Sequence, residues 1–303
     1  MKVYVTGGTG AIGRYVVPAL VRAGHEVHAL ARSDDKAAWL EQAGAVPSRV
    51  SLFDVAALTA AFEGQDAVAN LATAIPPTKR AMKASAWAMN TRIRTEGSTA
   101  VTGAALAAGV PRLIQESIAF TYPDSGDEWV DESMPLSAPP GIDAVEVAEA
   151  NAQRFRDAGR TGVVLRFGFF YGPQSAHSDE LLRLARRHIG PVVGRPSGYI
   201  SSIHLDDAAA AVVVALDAPA GTYNVVDDEP LTKKAYAQAV GAAVGKRPWL
   251  YLPGRFAALG GRSTSVLTRS LRVRNQRFVD ATGWQPRHPS AREGWLAMEL
   301  AGA

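Results

Sequence analysis

Thr6-Gly7-Gly8-Thr9-Gly10-Ala11-Ile12-Gly13 is the stretch on which the reading of this chain turns. The run Val3–Val5 ahead of it is apolar and meets the first glycines at once, as a buried strand does. Behind it, Ile12, Val16, Val17, Leu20 and Val21 recur at helical spacing, and Gly24 follows as a helix-ending residue. In a strand–glycine–helix unit, Gly7 permits the tight turn off the strand and Gly10 lets the backbone approach a pyrophosphate. Gly13 lets the helix pack closely, and the helix N-terminus faces the phosphates. The alternative is a glycine-rich turn with no ligand; the strand before the loop and the amphipathic helix after it argue for the phosphate cradle.

The alternation continues along the chain. Strands are expected at Glu26–Ala31, Arg49–Phe53, Asp66–Ala72, Arg112–Glu116 and Val163–Phe167. Helices are expected at Asp34–Ala43, Val55–Phe62, a long Ala-rich stretch Ala84–Ala108, and an amphipathic stretch ending at Ala158. Regular β–α alternation with short loops predicts an α/β protein with a doubly wound parallel Rossmann sheet. After Gly172-Pro173 the rhythm loosens. A helix around Leu181–Ala185, a strand at Ile200–Leu205, a helix at Ala208–Leu216 and a last strand at Thr222–Val226 are expected. A further helix, the segment Trp249–Pro253 and a basic stretch complete the chain. We therefore expect a Rossmann domain of residues 1–171 plus 199–226 and a smaller C-terminal substrate lobe of residues 172–198 plus 227–303.

Composition narrows the classes. Of 303 residues, 47% are hydrophobic and 20% charged, which is ordinary for a globular chain with one large nucleotide-binding domain and a small lobe. The net charge of +3 is not gathered in a run, so no nucleic-acid partner is expected. The absence of cysteine excludes disulfides, thiolate catalysis and zinc–thiolate sites. No stretch approaches the ~20 apolar residues of a membrane span, and no signal-peptide pattern opens the sequence; a cytoplasmic protein without a membrane partner is expected.

The second strand ends in Ala29-Leu30-Ala31-Arg32-Ser33. An NAD site places Asp or Glu here for the ribose 2′-hydroxyl, and Ala31 stands at that position. Arg32 can grip a 2′-phosphate with its guanidinium fork, with Ser33 and Lys36 adding contacts, which points to NADP (NADPH). The alternative leaves Arg32 as a solvated surface residue. Asp54, with Val55 behind it, is a candidate partner for the adenine amino group or only the N-cap of the helix that follows.

Taken together, these residues resemble the extended, epimerase/dehydratase-like branch of the short-chain dehydrogenase/reductase superfamily. The likeness rests on Thr6–Gly13, Asn70-Leu71-Ala72-Thr73, Arg166-Phe167-Gly168-Phe169-Phe170-Tyr171-Gly172-Pro173, Ile203-His204-Leu205-Asp206-Asp207, and Tyr223-Asn224-Val225 with Pro230. It spans nearly the whole chain. It implies a cofactor across the strand ends, held by Gly7, Thr9, Gly10, Ala11, Ile12 and Gly13, lined by Leu71, Ala72 and Thr73, with Phe167, Gly168, Phe169 and Phe170 near the nicotinamide. Asp206 is expected as a helix N-cap and His204 as a packed residue.

The departure from that family is as informative. Its members carry a Ser or Thr after the fifth strand and a Tyr-x-x-x-Lys pair on the next helix. Counting back from Tyr122 puts the Ser position on Ile118, with Ser117 one residue early. Aligning on Glu149 puts the Tyr on Gly141 and the Lys on Val145, and from Asp124 to Arg160 there is neither Tyr nor Lys. A positioned acid is worth about 10²–10⁴ in rate, whereas holding the reactants together is worth ~7–11 kcal/mol, so hydride transfer survives the loss. Ser117, Tyr122 or Tyr171, water, or a hydroxyl beside the substrate's own ketone are the proton sources left. The frame without Tyr and Lys is similar to reductases of angucyclinone antibiotic pathways.

The expected activity is NADPH-dependent reduction of a ketone on a large, hydrophobic, polyketide-type aromatic substrate. A non-catalytic NADP-binding sensor and a redox-neutral epimerase or cyclase are the alternatives. Candidates for the substrate wall are Thr73, Ala74, Ile75, Ser117, Ile118, Tyr122, Phe169, Phe170, His177 and Arg195. A monomer and a homodimer through Ala84–Ala108 are both compatible with the sequence.

Overall fold

The β-branched and aromatic runs between glycines form short buried strands, and seven of these strands build one sheet. The computed structural model describes residues 1–76, 80, 83–139, 142–252 and 266–301. Its strands are β1 (Lys2–Thr6), β2 (Glu26–Leu30), β3 (Val46–Ser48), β4 (Ala67–Asn70), β5 (Arg112–Ile118), β6 (Thr161–Phe167) and β7 (Gly221–Val225). They lie in the order β7-β6-β5-β4-β1-β2-β3, and every neighbouring pair is parallel. The order reverses between β1 and β4, and a sheet of this kind opens its ligand crevice at the carboxyl ends of its strands at that reversal. The doubly wound parallel sheet is as the sequence predicts.

Both faces of a parallel sheet must be covered. On one face, Val3, Val5, Ala29, Ile114 and Leu165 pack with Val16, Val17 and Leu20 of α1 (Gly13–Arg22) and with Ala208 and Val212. On the other, Tyr4, Val68 and Leu113 pack with Leu58 and Phe62 of α3 (Val55–Phe62), which follows α2 (Asp34–Gln42), and with Val101 and Ala104 of α4 (Ser98–Ala107). Each fully buried Leu or Phe of these layers contributes about 1.5–3 kcal/mol.

Two expected elements need correction. The third strand lies at Val46–Ser48, not Arg49–Phe53: it pairs His28 with Val46 and Leu30 with Ser48, and the Ala31 N–H to Ser48 C=O bond closes the ladder. The apolar Val50 and Leu52 that suggested a strand are half-buried loop residues packed on the second core layer. The expected helix Ala84–Ala108 is segmented: a 3₁₀ turn at Ala84–Trp87, α-helix at Ala88–Arg92, a π turn at Ile93–Gly97, then α4. π turns are rare and mark places where a helix re-aims a side chain. Here the turn carries Arg94 into the interior.

Beyond β6 a third cluster gathers Tyr171, Leu181, Leu231, Tyr236, Val240 and Trp295, with the Trp295 ring stacked on Tyr171 at 5.3 Å between centroids. Short paired strands tie these segments together, among them Phe169–Tyr171 with Ser202–His204. The helix Leu205–Val214 is capped by His204, whose ring nitrogen accepts the Asp206 N–H at 3.2 Å. Asp206, expected as the cap, lies instead in the first turn, while His204 is packed against Tyr171 and His288 as its burial requires. Among the described residues, no helix is long and apolar enough to cross a membrane.

Candidate functional site

A cleft of about 540 Å³ runs along the carboxyl ends of β2, β1, β4 and β5. Its floor is the glycine loop. Gly7 has a left-handed φ of +73°, and a Cβ there would stand 2.6 Å from the Leu71 carbonyl oxygen. The Gly10 N–H donates to the Gly7 carbonyl at 2.9 Å, and a Cβ on Gly13 would collide with that same carbonyl oxygen. A side chain at either place would fill the cradle. Helix α1 starts at Gly13 with no side-chain cap at Ile12, so its first N–H groups, aimed where a pyrophosphate would lie, are not claimed by a protein side chain. These residues fit a dinucleotide.

At the β2 end the cleft is basic. Arg32 and Lys36 line it together with Arg49, which is paired with Asp34. Ala31 is buried, and among the described residues no acid stands in the wall at this place. Burial, then the charges of Arg32 and Arg14, holds the Lys36 ammonium below its usual range. Cations that repel one another in this way are suited to a bound anion. Ser33 and Gly13 stand beside the wall rather than in it. Asp54 caps α3, its carboxylate accepting the Ala57 N–H at 3.0 Å, and Asp54 and exposed Val55 lie outside the lining. Ser51, Leu52 and Phe53 take their place, delivered by the loop that the sequence suggested was a strand.

At the β5 end the wall changes character. Leu71, Ala72, Thr73, Ile75, Met89, Ile93 and Phe170 line it. Phe167 is wholly buried in the sheet core, and Gly168 is also buried. Phe169 faces away, stacked on Phe120 at 4.5 Å beside a second, smaller pocket. Ile118, at the family's Ser position, packs with Ile142, Val145 and Val266. A hydrophobic plug thus occupies the place of the Ser and Lys, while Gly141, at the Tyr position, lies outside the described residues.

Both residues expected to replace the missing acid are committed elsewhere. Tyr122 is fully buried; its hydroxyl donates to Asn224 at 2.9 Å and accepts from Arg166 at 2.7 Å. Burial outweighs Arg166 and lifts its pKa to about 12. Ser117 is also fully buried and donates to Glu149 at 2.5 Å, while Arg166 grips Glu149 with two bonds of 2.9 and 2.7 Å. This closed Ser117–Glu149–Arg166–Tyr122–Asn224 chain satisfies its own polar groups and presents none to a substrate. Tyr171 is buried against Asp227 and Trp295. Of the remaining substrate candidates, Ala74 is half-buried, its N–H bonded to Asn90 at 3.1 Å. His177 is exposed on a helix, and Arg195 is exposed and 3.5 Å from Asp124.

Glu116 is the residue that sequence reasoning passed over. It sits on β5, buried, in the cleft wall, against Arg94 at 2.8 Å. Its signal is an acid inside a strand that is buried from Leu113 onward; its partner, 22 positions earlier, gives none.

Residues 3–226 match the NAD dependent epimerase/dehydratase family, and the chain belongs to it. The chain is 35% identical to a 3-diazoavenalumate denitrifying reductase from Streptomyces sp, over 97% of this chain and 99% of the relative. It is 28% identical to the 4-hydroxy-2-methyl-3-oxo-4-farnesyl-3,4-dihydroquinoline-1-oxide ketoreductase of Stigmatella aurantiaca, over 82% of this chain and 77% of the relative. The crystal structure of the human epimerase family protein SDR39U1 with NADPH shares the fold, with a TM-score of 0.81, 23% identity and 99% coverage of both chains. The protein is an NAD(P)-dependent oxidoreductase of the extended short-chain dehydrogenase/reductase type.

Proposed function

We propose that this member of the epimerase/dehydratase family is an NADPH-dependent ketoreductase acting on a ketone of a large, flat, polyketide-type aromatic substrate without a tyrosine acid. The observation that carries the reading is the reaction end of the cleft, where Ile118 and Val145 build an apolar plug in place of Ser and Lys. The phosphate cradle beside it is kept. When bound, NADPH supplies the hydride. The chain does the rest. Gly7, Gly10 and the α1 N-terminus hold the pyrophosphate, and Arg32 and Lys36 take the 2′-phosphate. Phe170, Thr73 and Ile75 exclude water beside the reacting carbon. The lobe of residues 172–198 plus 227–303 selects the substrate. The name of the Stigmatella relative, a ketoreductase of an oxo-dihydroquinoline oxide, supports the aromatic-ketone class.

A second reading is favoured by the relative at 35% identity, named as a denitrifying reductase of a diazo compound. Hydride delivered to an aryl diazonium forms the new C–H bond and releases N₂. It needs no proton from the protein, so an apolar site suits it.

The test is NADPH oxidation, followed by absorbance, against aromatic ketones with and without an adjacent hydroxyl and against aryl diazonium salts. Turnover of the ketones is expected. Turnover of the diazonium salts alone would move the assignment to the second reading. Tight NADPH binding with no turnover of either class would leave a non-catalytic or redox-neutral protein.

A further inference from the structure

Of the cleft's ionisable side chains among the described residues, Arg32, Lys36 and Arg49 stand at the β2–β3 end, and Glu116 alone stands at the β5 end. Glu116 precedes Ile118 by two residues on the strand that the family uses for its Ser. Its side chain is 4% exposed, as is that of Arg94. Only Nη2 of Arg94 holds it, at 2.9 Å from Oε1 and 2.8 Å from Oε2, while Nη1 is buried without a partner. The contrast with Glu149 is instructive. Glu149 takes two bonds from Arg166 and a third from Ser117, so both of its oxygens are engaged by separate donor atoms. The Glu116 pair is more deeply buried, borders the cleft, and keeps bonding capacity on both partners.

We propose that Glu116 is the acid that replaces the absent tyrosine, with Arg94 as the positioning residue that holds its carboxylate. The proposal rests on the ketone reading above. As hydride reaches the carbonyl carbon, the C=O π pair moves onto oxygen. The Glu116 O–H bond breaks, its electron pair stays on the carboxylate, and the proton forms the alcohol O–H. The products are the alcohol, oxidised cofactor and a Glu116 carboxylate paired with Arg94, which a solvent proton resets. Burial lifts the Glu116 carboxyl above its ordinary range, Arg94 on the π turn pulls it back, and Glu149 of the helix Ala144–Asp157 adds to the rise. The acid form therefore persists to higher pH than for a free glutamate, and turnover falls as pH rises through that raised value.

The experiment measures kcat against pH for ketones with and without the neighbouring hydroxyl. Glu116→Gln is expected to lower kcat on both by about 10²–10⁴-fold and to remove the high-pH fall. NADPH affinity should stay within about twofold. Arg94→Gln should move the fall to higher pH, since the carboxylate loses its cation, a shift that a purely structural pair would not give. Unchanged kcat in Glu116→Gln on both classes, or a loss confined to ketones that carry the hydroxyl, overturns the role; a loss larger on ketones lacking the hydroxyl supports it, the neighbouring hydroxyl standing in for the missing acid. The ¹³C shift of the Glu116 carboxyl in glutamate-labelled, NADP⁺-bound wild type decides the matter if the variant fails to fold, with Glu116→Asp for assignment. A midpoint above the ordinary range is expected, and a carboxylate at every pH overturns the proposal with no substrate needed. If the carboxyl titrates as expected but no ketone is reduced, the ketone reading itself fails and takes this role with it.

Discussion

The two ends of the cleft are built on opposite principles. The β2 end is held by backbone shape and unpaired positive charge: Gly7 turned left-handed, Lys36 crowded by Arg32 and Arg14. The β5 end is held by side chains that satisfy each other, the apolar plug of Ile118, Ile142, Val145 and Val266 and the closed Arg166 chain. The first end gathers cations beside a glycine turn. The second is complete without a ligand, except at Glu116. A site can therefore keep its cofactor chemistry while its acid–base machinery is overwritten by packing, because the two rest on different elements.

The sharpest way to break the comparison is to open the closed chain. Arg166→Met removes the cation from half-buried Glu149 and the donor from buried Tyr122. Breaking a buried pair in this way costs about 3–5 kcal/mol. Urea unfolding should show that loss; a change below ~1 kcal/mol would mean that the chain is not holding the reaction end together. Next in size, Gly7→Ala should weaken NADPH binding at least ~100-fold, about 2.7 kcal/mol by titration, and also lower stability, because its Cβ would press on the Leu71 and Ala72 backbone. Retained binding would show that the cradle is not the pyrophosphate site.

A smaller effect separates the cofactors. Lys36→Ala should weaken NADPH by roughly tenfold, about 1.4 kcal/mol, and leave NADH unchanged. Because the Lys36 ammonium is held below its usual range, the preference for NADPH should begin to fade at a lower pH than an ordinary lysine would allow. Equal losses for both cofactors would place Lys36 away from the 2′-phosphate.

The same division explains what was legible in the sequence. The glycine loop and the sheet were, because each glycine and each apolar strand is a local necessity. The third strand was displaced because Val50 and Leu52 carry the apolar signal of a strand while serving as loop packing, whereas Val46-Pro47-Ser48 pairs on a sheet edge where Pro is tolerated. His204 was read as packing and Asp206 as the cap; the cap is His204, a choice set by which ring nitrogen faces the Asp206 N–H and therefore invisible in a string of letters. The plug at Ile118 and Val145 was visible as missing residues, but its closure by Val266, more than a hundred positions later, was not. Arg94 and Glu116 meet across 22 positions, Arg94 on a π turn and Glu116 on β5, and a helical or strand period signals neither the turn nor the pairing.

Tyr122 gives the finest cut between the two kinds of construction. It was a natural candidate acid, a tyrosine just beyond the fifth strand. In the structure its hydroxyl is spent between Asn224 and Arg166, and its burial lifts it further from any working pH. Tyr122→Phe should therefore cost about 1 kcal/mol of stability for the lost hydrogen bonds. It should leave kcat within about twofold, less than 0.5 kcal/mol of barrier. A fall of ~100-fold or more at near-normal stability would mean that the closed chain opens when substrate binds. The proton would then come from that chain, and Glu116 would be left as a wall residue whose free bonding capacity serves only to orient what binds.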